Sequence, residues 1–254
     1  MMGRAHLAIS TGVTISILGL ADYKITVPVV AVTVVSSLLP DIDEPNSLLV
    51  SRALPTSLLR LLQGVLIALA AFVYFYGTEL APWNTVIAIL AALVSFMPTR
   101  TLRNVMMILI GACLILFGQS YIPWSTIIGC LLIICALVPH RGITHSLYGV
   151  LGWTALLYFS TYTYGHALWI AGGLSYLIHL LADALTNHGI RPLPPFDFRL
   201  KLRLMSTGTM KGTLIENLCI GLTFVLVWFV FFRGGNYEHF IFLDTLTLGK
   251  IVVK

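Results

Sequence analysis

The chain has 254 residues, of which 58% are hydrophobic and only 10% charged, with a formal net charge of +5. A soluble globular domain carries roughly 25% charged residues, so this composition excludes one and points to an integral membrane protein. In so apolar a chain the basic excess is assigned to loops that set orientation and meet lipid headgroups, and no nucleic-acid partner is expected.

Apolar runs bounded by turn residues or charges predict an all-α, polytopic membrane helix bundle of about nine segments: 5–21, 25–39, 58–77, 83–98, 104–119, 122–138, 147–163, 167–187 and 214–232. Several fall short of the ~20 residues a perpendicular span needs and are expected to be tilted, half-buried or packed inside the bundle. Asp22-Tyr23-Lys24 leaves only a tight turn between the first two, and whether these fully span is open. The N-terminus lacks a cleavable signal pattern and is expected to be retained. Cys113, Cys130, Cys135 and Cys219 all fall inside apolar runs and are read as buried small hydrophobes rather than disulfides or ligands. Residues 233–254 form a C-terminal tail, and the chain is read as one membrane domain.

Four polar pieces interrupt this pattern: Arg4-Ala5-His6, Pro40-Asp41-Ile42-Asp43, the string from His140 to Ser146, and His179-Leu180-Leu181-Ala182-Asp183. They hold three of the ten acidic residues and four of the seven histidines. Carboxylates and imidazoles beside apolar spans cost desolvation energy, so their clustering needs a functional reason. With alternating segments, all four pieces reach one side of the membrane. Eleven of the fifteen Lys and Arg residues fall on that side, which the positive-inside rule makes cytoplasmic.

His179 and Asp183 lie four apart in a helical stretch and so share a face able to grip one ion. Asp41 and Asp43 suit a helix end, where Pro40 limits continuation of the preceding helix. Gly142 lets the chain reverse between His140 and His145. Each piece alone also has a plain structural reading: His6 as an interfacial or capping residue, Asp-x-Asp as a solvated turn, His179 with Asp183 as a buried pair, and His140 with His145 as a turn from which Arg141 snorkels to headgroups. Their convergence favours a metal site. Seven donors exceed the three or four of one tetrahedral zinc, which favours two or more ions, or one ion with acid–base residues.

These strings resemble, in content and order, the YdjM/YbcI-like bacterial inner-membrane proteins, described as membrane-bound metal-dependent hydrolases. The likeness rests on Arg-Ala-His at the start, the Leu-Leu-Pro-Asp-Ile-Asp-Glu-Pro-Asn-Ser string, the highly specific His-Arg-Gly-Ile-Thr-His-Ser and His-Leu-Leu-Ala-Asp-Ala-Leu-Thr, and covers residues 1–52 and 139–218. It implies that His6, Asp41, Asp43, His140, His145, His179 and Asp183 are the metal positions, with Glu216 a further acidic one. Residues 53–138 would be an inserted region of four segments; an even number keeps the motifs on one side. His188, where relatives commonly have Pro-x-Gly, is read as a helix C-cap in preference to an extra ligand. A weaker similarity, in residue type and order only, is to zinc-dependent phospholipase C and the P1-type nucleases, which would imply phosphoester hydrolysis.

The expectation is a multi-pass inner-membrane hydrolase opening to the cytoplasm, using zinc, or else manganese or iron. His6, His140, His145, His179, Asp41 and Asp183 would be ligands, Asp43 a bridging ligand or general base, and Arg141 the group steadying an anionic, phosphorylated or lipid-linked substrate. A structural metal, or a metal or lipid transporter, is the rival; segments 3 to 6 carry almost none of the ionisable residues a transport path needs. The Arg199–Met205 stretch alternates basic and apolar residues and suits either the membrane interface or a strand-like loop over the site.

Overall fold

A computed structural model describes residues 2–44, 47–122, 124–137 and 142–232. Among these residues the protein is all-helical, with ten α-helices: α1 Gly3–Leu20, α2 Val27–Leu38, α3 Leu48–Ala53, α4 Thr56–Tyr76, α5 Trp83–Ser95, α6 Thr99–Phe117, α7 Trp124–Leu137, α8 Leu147–Thr161, α9 Ala167–Ala184 and α10 Met210–Phe232. Each of the nine apolar runs is a helix. The short α3 escaped the reading because its six residues hold too little pattern; the Ser47 side chain caps it by accepting from the Val50 N–H. Prolines mark other starts. Pro55, Pro82 and Pro98 immediately precede α4, α5 and α6, where a missing N–H costs no intrahelical bond.

Four helices, α4, α6, α9 and α10, are long and apolar enough to cross a membrane, and α5 and α7 are shorter apolar helices. Their outer faces carry large exposed apolar side chains, such as Leu61 and Phe72 on α4 and Leu214, Leu222 and Phe224 on α10. Helices satisfy their backbone internally, so such surfaces suit lipid. Cys113 and Cys130 are exposed on these outer faces, and only Cys135 is buried; the expectation that all four are buried holds for one.

The chain forms two compact units, one of residues 1–41 with 140–254 and the other of residues 42–139. In the second unit, α4 packs on α5 and α6, and α6 on α7. Arg103 lies in α6, inside the helix rather than in a loop, and is buried. Its guanidinium donates to the Leu54 carbonyl at 3.1 Å and the Thr56 hydroxyl at 3.0 Å, tying α6 to the α3–α4 junction.

In the first unit, α9 packs against α1, α2 and α8, and α10 against α1. Two glycines let α9 sit so centrally. A Cβ at Gly172 would lie 2.1 Å from Leu157 Cδ1 and 3.2 Å from Ser36 Oγ, and one at Gly173 would lie 2.5 Å from Thr154 Oγ1. Small residues at crossing points are how apolar helices approach closely without a hydrophobic driving force between them. Hydrogen bonds then lock the packing: Ser175 donates to the Thr33 carbonyl at 2.8 Å, and Trp153 Nε1 to Ser36 Oγ at 2.8 Å.

Candidate metal centre

The polar pieces in the first unit are delivered to one end of that bundle. α1 begins there with His6 one turn in, and α2 ends there in a 3-10 turn, Leu39–Asp43, that presents Asp41. A second 3-10 turn, Ile143–His145, presents His145 just before α8, while His179 and Asp183 occupy successive turns near the end of α9. The spacing of four does what the sequence suggested, placing both on one face.

Asp41, His145, His179 and Asp183 each offer one donor atom, all within 4.8 Å of one another. His145 Nε2 lies 3.3 Å from Asp41 Oδ1 and 3.5 Å from Asp183 Oδ2; His179 Nε2 lies 3.7 and 3.9 Å from the same two oxygens. Tetrahedral zinc, with bonds of about 2.0–2.2 Å, separates its donors by roughly 3.3–3.6 Å. The two His145 distances match those dimensions, while the His179 distances and the widest separation, within 4.8 Å, exceed them, so the group would draw in around one ion.

The chemistry of His179 supports the same fit. Its Nδ1 is 2.7 Å from the Ser37 carbonyl, which can only accept, so Nδ1 carries the proton. In the neutral ring that leaves a lone pair on Nε2, buried, without a hydrogen-bond partner, and aimed toward two carboxylate oxygens. A lone pair facing carboxylates is repulsive unless a cation lies between them. An outer carbonyl that fixes the tautomer is also the usual support of a ligating histidine. The sequence hinted at this only through Ser36-Ser37, a small polar pair closing an otherwise apolar run.

His6 stands beside this group. Its ring stacks on His179, with centroids 3.8 Å apart, and its Nε2 is 3.2 Å from Asp183 Oδ1. Asp183 thus turns one oxygen to His145 and His179 and the other to His6. His6 Nδ1 is buried without a hydrogen-bond partner. Burial works against ionisation of Asp41, but the hydrogen bond with His145 and the electrostatic pull of the surrounding imidazoles hold its carboxyl below the ordinary carboxylate range. Its side chain is 21% exposed, against 1% or less for His6, His145, His179 and Asp183, so solvent reaches the group past Asp41.

Other expected residues are placed differently. Asp43 is buried in the turn two residues after Asp41 and belongs to the second unit. His140 and Arg141 lie outside the described residues. Glu216 is buried on α10 and accepts the Met2 N–H at 2.9 Å, anchoring the first turn of α1. His188 is exposed and closes no helix; that role goes to Thr186, whose N–H and hydroxyl both donate to the Asp183 carbonyl, at 3.0 and 2.7 Å. Thr186 then accepts from Gly189 N–H, with Gly189 at φ +63°. The cap reading of His188 fails because the smaller hydroxyl reaches back to the helix end first.

The model of the YdjM inner membrane proteins matches residues 1–240. The chain belongs to the YdjM inner membrane protein family. No curated protein and no solved structure matches it. Family membership agrees with the four candidate spanning helices, and the buried His/Asp cluster gives this member a group that could hold a metal ion.

Proposed function

We propose that this protein is a metal-dependent hydrolase of the inner membrane, its metal centre opening to the cytoplasm and acting on a phosphoester, most economically a lipid-linked one. The observation that carries the reading is the His179 lone pair directed at Asp41 and Asp183, in a group whose exposed edge is Asp41. His145, His179, Asp41 and Asp183 would hold one zinc or a similar divalent ion. Asp183 and His6, 3.2 Å apart, would begin the ligand set of a second. Bound there, such ions acidify a water and polarise a phosphoryl or acyl group.

The chain's own residues do the rest. The Ser37 carbonyl keeps His179 in its Nδ1–H tautomer. The near-complete burial of His6, His145 and Asp183 excludes bulk water from all but the Asp41 edge. The general-base role of Asp43 and the anion-steadying role of Arg141 rest on their positions in the sequence strings. An apolar groove lined by Ile9, Ile178, Leu181, Ala182, Leu185 and Cys219 runs beside the Asp183 turn and suits an acyl chain, which favours a lipid-linked substrate.

A second reading is favoured by the same count of donors. Four protein ligands fill a tetrahedral ion, and structural sites are closed in this way while catalytic ones keep a position open. Metal analysis of purified protein, followed by assays on phospholipids and a generic phosphodiester in wild type and Asp43→Asn, separates the two. Bound metal without hydrolysis of any of these substrates, and an Asp43→Asn variant altered only in stability, would sink the enzyme and leave the structural ion.

A further inference from the structure

Between α9 and α10 runs a non-helical strap, residues 185–209, tied down along much of its length. Leu202 N–H donates to the Ala184 carbonyl, Leu204 N–H to Leu185, Asn187 N–H to Met205, and Ile190 and Leu200 exchange both of their backbone bonds. Pro192 accepts from Leu147 N–H, so the strap also holds the start of α8, two residues past His145. Its buried anchor, Met205, packs with Ala5 and Ala182, the neighbours of His6 and Asp183. This is a fixed element of the bundle end that carries the metal centre.

What the strap presents outward is unusual. Phe196, Phe198, Leu200, Leu202 and Leu204 are 68, 62, 37, 58 and 59% exposed. Arg199, Lys201 and Arg203 alternate with them and are exposed too. Ile190 and Leu200 form an isolated antiparallel bridge, and successive side chains of an extended backbone leave on opposite sides, an alternation that ends at Arg203 with its φ of +55°. Leu200 and Leu202 therefore share one side, and Arg199 and Lys201 the other. An exposed apolar patch bordered by charge marks an interaction surface, and here the basic residues outnumber the one acidic group, Asp197, which pairs with Arg191 at 3.5 Å. Its occupant follows from its place: a segment joining two candidate spans, α9 and α10, lies at a membrane face.

We infer that this strap is an anionic-lipid docking surface lying in the headgroup layer. Its leucines and phenylalanines enter the acyl boundary, and Arg199, Lys201 and Arg203 bind lipid phosphates. Interfacial segments bind by this combination of buried apolar area and attraction to anionic headgroups. The inference rests on α9 and α10 spanning the membrane, and it needs neither a metal nor a hydrolytic activity. It would place anionic lipid beside the metal centre, because the Met205 anchor ties strap and site together.

The test uses full-length protein with its four cysteines replaced by alanine and single nitroxide labels at Leu202→Cys, Lys201→Cys or Leu222→Cys, in bilayers of phosphatidylcholine with or without phosphatidylglycerol. Oxygen and a water-soluble nickel chelate report depth. The label at Leu202 should favour oxygen and the one at Lys201 nickel, with Leu222 on α10 as the lipid-exposed control. Among lipids contacting the protein, the preference for phosphatidylglycerol should fall about fivefold for each of Arg199→Gln, Lys201→Gln and Arg203→Gln at low salt. A water-exposed label at Leu202 with Leu222 in lipid overturns the inference while leaving the spans and the metal centre standing. Water exposure at both removes the spans and the inference together. An unchanged lipid preference in the triple Gln variant overturns it as well.

Discussion

The imidazole of His6 lies flat on that of His179, with ring centres 3.8 Å apart and planes 17° from parallel. The two rings nevertheless face different work. His179 directs Nε2 toward Asp183 Oδ2, and His6 directs Nε2 toward Asp183 Oδ1. Removing each should therefore read differently. Wild type is expected to bind two ions per chain by elemental analysis; His6→Ala should lose the ion it would share with Asp183 Oδ1 and keep the other, and His179→Ala should lose the ion beside Asp183 Oδ2 and keep the one at His6. Wild type with a single ion would make His6 an orienting residue, and His6→Ala would then weaken that ion by roughly 10–100-fold in chelator competition.

Asp41 gives the centre its acid limit. Its folded pKa is depressed, so its contribution to stability is fully present above the unfolded carboxylate value of about 4 and is lost as pH falls from there toward the lower folded value. Metal-free wild type should lose stability over that acidic interval more steeply than metal-free Asp41→Asn, as followed by helical circular dichroism in detergent. Equal slopes for the two proteins would remove Asp41 from the acid response.

Gly172 sets the distance between α9 and its neighbours. A methyl group there must displace Leu157, whose Cδ1 would be 2.1 Å away, and approach Ser36 Oγ. Overpacking of this kind typically costs ~1–3 kcal/mol. Gly172→Ala should lower the melting temperature and weaken metal binding, since the shift moves α9 relative to the Ser36-Ser37 end of α2. Gly152→Ala on α8, where an added Cβ meets nothing within 4 Å, is the matched control and should do neither.

Glu216 holds the first turn of α1 through a single backbone hydrogen bond at 2.9 Å. Glu216→Gln keeps an acceptor oxygen in place, while Glu216→Ala leaves the Met2 N–H to find water. The alanine variant should loosen the start of α1, read as faster amide exchange there, and weaken metal held through His6. The glutamine variant should restore both. If glutamine fails as badly as alanine, the negative charge rather than the anchor is what matters.

Much of this arrangement was legible in the sequence. Nine apolar runs correspond to helices because spacing and proline punctuation are local signals, and the end-to-end alternation of α1, α2, α8 and α9 brings His6, Asp41, His145, His179 and Asp183 together. What was not legible is non-local. The Ser37 carbonyl that fixes the His179 tautomer, the Trp153–Ser36 bond, and the Met2–Glu216 anchor each join residues far apart in the chain. His188 was misplaced for the opposite reason: a loop geometry of three residues, with Gly189 at positive φ, decided in favour of Thr186.

The contact between His179 and Ser37 joins residues 142 apart. At synthesis rates of about 5–20 residues per second, α2 leaves the ribosome roughly 7–28 s before the helix that completes its polar end. Through that interval Thr33, Ser36, Ser37 and Asp41 have no α9 to meet, while residues 42–139 can already assemble as a unit of their own. A metal held by this cluster would be captured only once α9, which begins at Ala167, has been made. A ribosome stalled before α9 would therefore hold a polar helix end whose partners do not yet exist.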